Sequence, residues 1–433
     1  MKKLLILSSI FVLTSCHSLN KMTLLRSPEK LTHAYTWEEV NEEGYLSFKD
    51  KMKEVSSKLS ESLIQRNFLD DKNVTFSPLS IELCLGLGVS GSSDQTREEL
   101  LNIFEMDYQT FNKYYKTYFN ELSFTHEMEN KMLGQMILTN SIWVDNDFTL
   151  KDSGLDALRD DYYCYSYHAD FDGDNKNSNK AIQEFIKDKT KGLINPNLNL
   201  SPETLFVLLN TLYLKDVWNM FGDDLSYTNE DYKFKNRSGE VSKKQLLEGK
   251  YFDGRTINQE DYSCFYTETY SGLKLYFVKP NEGKELKNIF NKTTIDYVLD
   301  NSNIICKDDI KRELYHTKTI FPEFKAECDI NIEGMLKQDY NVKTLFDPFQ
   351  CKFNNLTDEH LFCSSIRHIA KLDVNKKGIE GAAVTMMAVE GVSAPEDDPY
   401  EDIYETFVVD QEFGFILTYK DAVIFSGTVI NID

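Results

Sequence analysis

Side chains able to do metal or covalent chemistry are thinly spread along the 433 residues, which include eight cysteines and seven histidines. The densest group is Cys351, His360, Cys363 and His368, whose thiols and imidazoles are zinc-type ligands. Their spacing matches no common zinc motif and no C-x-x-C occurs. Scattered thiols most simply serve as small buried apolar groups, so no metal and no other cofactor is expected. Beyond Cys16 there remain Cys84, Cys164, Cys264, Cys306, Cys328, Cys351 and Cys363, an odd number that cannot pair completely, which argues against a disulfide scaffold. Gly86, Gly88 and Gly91 spell the dinucleotide pattern G-x-G-x-x-G, but that pattern needs a strand before it and a helix opening from it. Here it falls at the end of a helical stretch. The nucleophile elbow G-x-S-x-G is absent, and no other set of residues reads as a catalytic centre. An enzyme is not expected.

One cysteine does carry a chemical expectation. Lys2 and Lys3 precede an apolar run, residues 4–13, that is too short to span a bilayer, which is the pattern of a secretory signal. The run closes on Leu13-Thr14-Ser15-Cys16, which resembles the bacterial lipobox, whose cysteine is lipidated before cleavage. Residues 1–15 then read as a signal peptide, Cys16 as a lipidation site, and 16–43 as a membrane tether, since no steady periodicity runs through it. A lipoprotein with two or more acyl chains is stably held, giving an extracytoplasmic, membrane-anchored protein; an ordinary signal peptide and a secreted protein are the alternative. Seventy acidic against 48 basic side chains give a formal charge of −22. Such a surface repels phosphate backbones and anionic headgroups, which argues against nucleic-acid partners and against purely electrostatic membrane docking.

The elements that must position any site lie in residues 44–433, read as one domain with no second linker, repeat or low-complexity stretch. With 41% hydrophobic and 13% aromatic residues the chain can bury a large core. Phe48, Met52, Val55, Leu59 and Leu63 recur at helical spacing. A second helix starts at Ser77-Pro78, where serine can cap and proline suits the first turn, and ends near the glycines that follow Leu87. A third runs through Ala181, Ile182, Phe185 and Ile186 and closes at Gly192. Strand-like runs cover 137–143, 205–214, 273–278, 415–419 and 423–429. Helices first, strands interspersed and a strand-rich last third give an α+β domain. Trp143 and Trp218 are most simply core aromatics.

Residues 378–392 stand apart. One alternate face, Ile379, Gly381, Ala383, Thr385, Met387 and Val389, carries no charge, whereas Glu380 and Glu390 share the other face with Ala382, Val384, Met386 and Ala388. That is a strand with one buried face. Two prolines and a cluster of acids follow at 394–399, so a strand-competent segment leads straight into a loop. Periodicity alone fits an ordinary sheet strand and its turn equally well.

The stretch Gly378-Ile379-Glu380-Gly381-Ala382-Ala383-Val384-Thr385 resembles the serpin hinge, Gly-Thr-Glu-Ala-Ala-Ala-Ala-Thr. Phe76-Ser77-Pro78-Leu79-Ser80-Ile81 resembles the family's second-helix signature, and Asn210-Thr211-Leu212-Tyr213-Leu214-Lys215 with Trp218 its Asn-x-x-Tyr-Phe-Lys-Gly-x-Trp strand. Phe321-Pro322-Glu323-Phe324-Lys325, His368-Ile369-Ala370 and the run 407–415 continue the series in the family's order. The resemblance implies a single domain with a large central mixed sheet, surrounding helices and an exposed reactive-centre loop. It implies an irreversible, monomeric trap for a serine protease, which attacks the loop at Val392–Ser393 and is carried off as an acyl complex when the hinge inserts into the sheet. A valine before the cut suits an elastase-like enzyme; cuts after Glu390 or Asp398 are the alternatives in a loop longer than the family norm. Ser77, Ser80, Asn210 and His368 map to the shutter, where they are expected to form one polar latch under the sheet, and Trp218 maps to the breach. Ile379 and Gly381 depart from the hinge pattern. Ile379 is bulky and must enter first, which slows insertion, and Gly381 adds backbone entropy to be lost. A non-inhibitory surface lipoprotein on the same fold, or an inhibitor of cysteine proteases, are the competing readings.

Overall fold

The computed structural model describes residues 22–29, 35–68, 72–218, 225–301, 307–308, 311–364, 366–379 and 401–432. In chain order the elements that matter begin with strand β1 (Thr23–Arg26), a short helix α1 (Trp37–Val40) and the long α2 (Glu43–Asn67). Strand β2 (Val74–Phe76), helices α3 (Pro78–Gly91), α4 (Asp94–Phe104) and α5 (Tyr108–Leu122), and strands β3 (Phe124–Met128) and β4 (Lys131–Asp145) follow. Next come α6 (Asp152–Tyr162), β5 (Cys164–Ala169), α7 (Asn175–Lys189) and β6 (Phe206–Val217). The strand-rich remainder contains β7 (Leu247–Asp253), β8 (Tyr262–Glu268), β9 (Lys274–Pro280), β10 (Glu313–Phe321) and β11 (Phe324–Asn331). It ends with β12 (Arg367–Asn375), the two-residue β13 (Gly378–Ile379), β14 (Glu401–Val408), β15 (Phe413–Tyr419) and β16 (Ala422–Val429).

The local reasons are those expected. The apolar stripe of α2 from Phe48 to Leu63 is buried throughout. Ser77 caps α3, its hydroxyl accepting from the Ser80 amide at 3.2 Å, and Pro78 occupies the first turn. All of α3 is buried, and its glycines explain themselves as close packing. A Cβ at Gly86 would lie 2.4 Å from the Tyr115 ring and one at Gly91 2.7 Å from Leu356, so the dinucleotide-like spacing is a helix pressed against its neighbours.

The large mixed sheet runs β1-β5-β4-β6-β13-β12-β11, with β3 paired to β4. Behind it a second sheet carries β8-β9-β15-β16-β2, and a third joins β7, β10 and β14. Trp143 is a core aromatic, stacked on Tyr167 at 4.1 Å beneath Ile182 and Ile186 of α7. Part of the segment expected to be a structureless tether is instead built into this sheet. β1 pairs antiparallel with β5, and Arg26 reaches from it to Asp156 (2.8 Å) and Asp152 (2.5 Å) on α6. Four residues are too few to show a period, and the partner strand is distant in sequence, Thr23 lying opposite His168.

Candidate functional site

The site forms where β12 turns back into β13. At Asn375 the chain reverses in a tight turn: the Lys377 amide donates to Asn375 Oδ1 at 3.0 Å, the Lys376 amide to Glu323 Oε1 at 2.8 Å, and Leu225 N–H to the Lys376 carbonyl at 2.7 Å. Gly378 and Ile379 then lie between two long strands, Gly378 opposite Val217 and Asn375, Ile379 opposite Asp216 and Val374. Gly378 has φ +153°, and a Cβ there would fall 2.1 Å from the Asp216 carbonyl oxygen. Glycine is required for that approach. Ile379 is fully buried. The expectation that this bulky residue must still enter is therefore corrected: it already sits in the sheet. Glu380 through Thr385, the Val392–Ser393 bond and Cys16 lie outside the described residues.

Below Ile379, no ladder joins β6 directly to β12 among the described residues. A cavity of about 60 Å³ lies there, lined by Ser80, Asn210 and His368 and roofed by Ile182 and Ile186 of α7. Thr211 Oγ1, on the same stretch of β6, is buried with no hydrogen-bond partner among the described residues. A strand entering from above would meet this gap next.

The shutter residues surround the gap and are joined in one series of contacts, two of its three links running through backbone amides. Ser80 Oγ donates to Asn210 Oδ1 at 2.6 Å, Asn210 Nδ2 to Asn140 Oδ1 at 2.9 Å, and Asn140 Nδ2 to the Tyr115 hydroxyl at 3.0 Å. His368 joins through the backbone of Ser77, its Nε2 accepting the Ser77 amide at 3.1 Å, so its proton resides on Nδ1. Burial pushes this imidazole down to about 4, which leaves it neutral near pH 7. The Ser77 hydroxyl accepts the helix-cap bond from the Ser80 amide, while its own amide serves the histidine. Trp218 closes the top: 3% exposed, its Nε1 donates to the Asn375 carbonyl at 2.8 Å and its ring meets Phe321 edge-on at 5.6 Å.

Three neighbours escaped the sequence reading. Asn140 and Tyr115 extend the shutter network, and Asp216 lies buried beside the hinge. The signal for Asp216 was a departure, since it stands where the resembled strand pattern has glycine. Cys351, His360, Cys363 and His368 do not converge, and no group of three or more metal-type ligands occurs among the described residues. The Cys84 and Cys351 thiols are pushed up to about 12 by burial, as expected of inert packing groups.

The family model described as "Serpin (serine protease inhibitor)" matches residues 50–432. A protein named "Uncharacterized serpin-like protein" from Methanosarcina acetivorans is 27% identical over 335 residues, covering 73% of this chain and 72% of its own. A "Serine protease inhibitor" from Cyanea capillata is 29% identical over 356 residues, covering 79% and 90%. Among solved structures, the thermophilic serpin tengpin in its native state superposes with a TM-score of 0.74 at 20% identity, over 95% of this chain and all of that one. A hinge seated at the top of a central sheet, a polar network and histidine flanking the gap beneath it, and a family match along nearly the whole domain lead to one conclusion: this chain belongs to the serpin family, whose members are typically protease inhibitors rather than enzymes.

Proposed function

We propose that this serpin is a single-use trap for a serine protease, cut at Val392–Ser393 and held to a membrane through Cys16. The observation that carries the reading is the hinge. Gly378 and Ile379 are already paired between β6 and β12, above a gap that a longer strand would fill. Serpin loop insertion is an established example of stored strain released by strand addition. The uncharged face continues through Gly381, Ala383, Thr385, Met387 and Val389, so each turn inward would bury an apolar or small side chain. Larger ones contribute roughly 1.5–3 kcal/mol apiece, beside a new ladder of backbone bonds. The acylated enzyme stays tethered to the moving strand, and distortion of its oxyanion hole prevents release.

Anchoring at Cys16 fits the direction of the sheet. Thr23 is level with His168, Val144 and Phe206, the first residue of β6, whereas the hinge meets β6 at its last two residues. The two points are roughly 35 Å apart at strand spacing. A chain tethered before β1 would thus present its reactive loop at the far pole from the membrane.

The test is a denaturing gel of the purified protein after incubation with elastase-like, trypsin-like and subtilisin-like proteases. A band at the summed mass that survives denaturation is expected with the elastase-like enzyme. Clean cleavage with no such band for any of the three would remove the inhibitory reading.

A further inference from the structure

Insertion requires β6 and β12 to part from the top downward, and the top of β6 is stitched to another part of the fold. Asp216, 1% exposed, accepts at Oδ2 from the Thr269 hydroxyl (2.5 Å) and the Ser271 amide (3.0 Å), and at Oδ1 from the Ser271 hydroxyl (2.9 Å). The Tyr270 amide adds a bond to the Val217 carbonyl at 2.8 Å. Residues 269–271 connect β8 to β9 in the second sheet, so these bonds tie the strand that must move to a layer behind it. His126 on β3 approaches the far side of the Ser271 hydroxyl, Nδ1 to Oγ 2.8 Å. Because that hydroxyl donates to Asp216, the imidazole nitrogen facing it acts as donor. Gly134 makes room, since a Cβ there would lie 2.4 Å from Asp216 Oδ1 and 2.2 Å from Ser271 Oγ. The hinge residue Ile379 pairs with Asp216 on the opposite side.

We propose that Asp216, held by Thr269 and Ser271, is a pH-sensitive latch at the mouth of the slot that sets how fast the reactive-loop strand goes in. The proposal rests on the insertion reading above. Burial holds the Asp216 carboxyl up at about 6, and its bonded partners are hydroxyls and amides rather than cations. Once released into water the carboxyl returns to the ordinary range near 4. The closed latch therefore binds the proton better than the open one. Its advantage is complete below about pH 4 and is lost as pH rises through 6. The groups facing Asp216 are Gly134 of β4 and Ile379 of β13, both without charge, His126 of β3 across Ser271, and Tyr419 of β15, whose phenol is raised in part by this carboxylate. A protonated His126 acts in the opposite sense, by favouring the carboxylate.

The probe is a synthetic peptide of residues 380–389 of this chain, annealed into the intact protein and followed by tryptophan emission and by the rise in melting temperature. For the parent the annealing rate should increase about tenfold between pH 5 and pH 7.5, as the closed state loses its protonation advantage. Asp216→Asn keeps the shape without the charge and should be slow and flat with pH. Asp216→Gly removes the latch and should be fast and flat. His126→Gln should retain the parent's pH dependence. An Asp216→Asn variant that anneals with the parent's pH profile, or a His126→Gln variant that alone goes flat, would overturn the latch while leaving insertion intact. If the peptide anneals to no variant at any pH, and cutting the loop does not raise the parent's melting temperature, insertion itself fails and the latch with it.

Discussion

The two ends of the reactive loop are held very differently. On the hinge side Gly378 and Ile379, among the described residues, are paired between β6 and β12. On the far side β14 runs parallel to β10 in an unbroken register of eight pairs, from Glu313–Glu401 to Ile320–Val408. That ladder is extended at both ends, by the Glu401 amide to the Arg312 carbonyl (2.7 Å) and the Val409 amide to the Ile320 carbonyl (2.8 Å). Lys279 Nζ adds a bond to the Val408 carbonyl at 2.7 Å. His316 bridges Asp253 of β7 (2.9 Å) to Asp402 of β14 (3.0 Å) while stacking on Tyr404. The difference teaches which end can move. On the proposed reading, a cut between them would free the hinge end above the gap and leave the other end fastened. Without a cut, full insertion of the hinge would work against the ladder that fastens β14.

The largest effect should come from blocking the mobile end. Thr385 lies on the uncharged alternate face, midway along the segment expected to insert. Thr385→Arg would carry an unpaired charge into the sheet, at a cost of several kcal/mol. The variant should be cut at the same bond yet form no complex that survives a denaturing gel. Val384→Arg, on the other face, should be much milder. Equal failure of both would show the face assignment to be wrong even with the mechanism intact.

Weakening the fixed end should have a smaller and slower effect. His316→Ala deletes the contacts to Asp402 of β14 and Asp253 of β7, worth about 1–2 kcal/mol. Uncut protein should then lose inhibitory capacity faster on incubation at 37 °C, as β14 detaches and the loop inserts unprovoked. Capacity that decays at the parent rate would mean that the ladder alone fixes that end.

The smallest change to the comparison should come from Glu82, on α3 beneath the sheet. Its carboxyl is fully buried, bonded to Ser56 Oγ at 2.6 Å, and pushed up to about 8 by burial. A raised value contributes stability that is present in full below the ordinary carboxylate range and lost as pH rises through 8. Glu82→Gln should therefore gain about 4 kcal/mol on the parent between pH 4 and pH 9, read from denaturant midpoints. Because Glu82 serves neither end of the loop, native and loop-cut forms should shift alike; a shift confined to one form would tie this carboxyl to insertion.

Much of this was legible because it is local. The stripe from Phe48 to Leu63 and the Ser77-Pro78 helix start are patterns within one segment, decided by a single period and a single cap. β12 alternates just as regularly, buried at His368, Ala370, Leu372 and Val374, and could have been read the same way. What stayed hidden depends on which distant segments meet. β1 is too short for a period. That His368 meets the amide of Ser77, not its hydroxyl, turns on a few ångströms across two elements. The Asp216 cluster draws on β3, β4, β6 and the segment after β8, and only the missing glycine hinted at it. That Ile379 has already entered follows from close approach at Gly378, which no spacing reveals.

The central claim is that the freed hinge becomes a strand between β6 and β12. It is tested most directly by the melting temperature before and after one clean cut within residues 388–393. A strand gained without other change should raise the midpoint by roughly 10 °C or more. A midpoint that stays the same or falls would contradict insertion and leave the protein a serpin fold that does not trap.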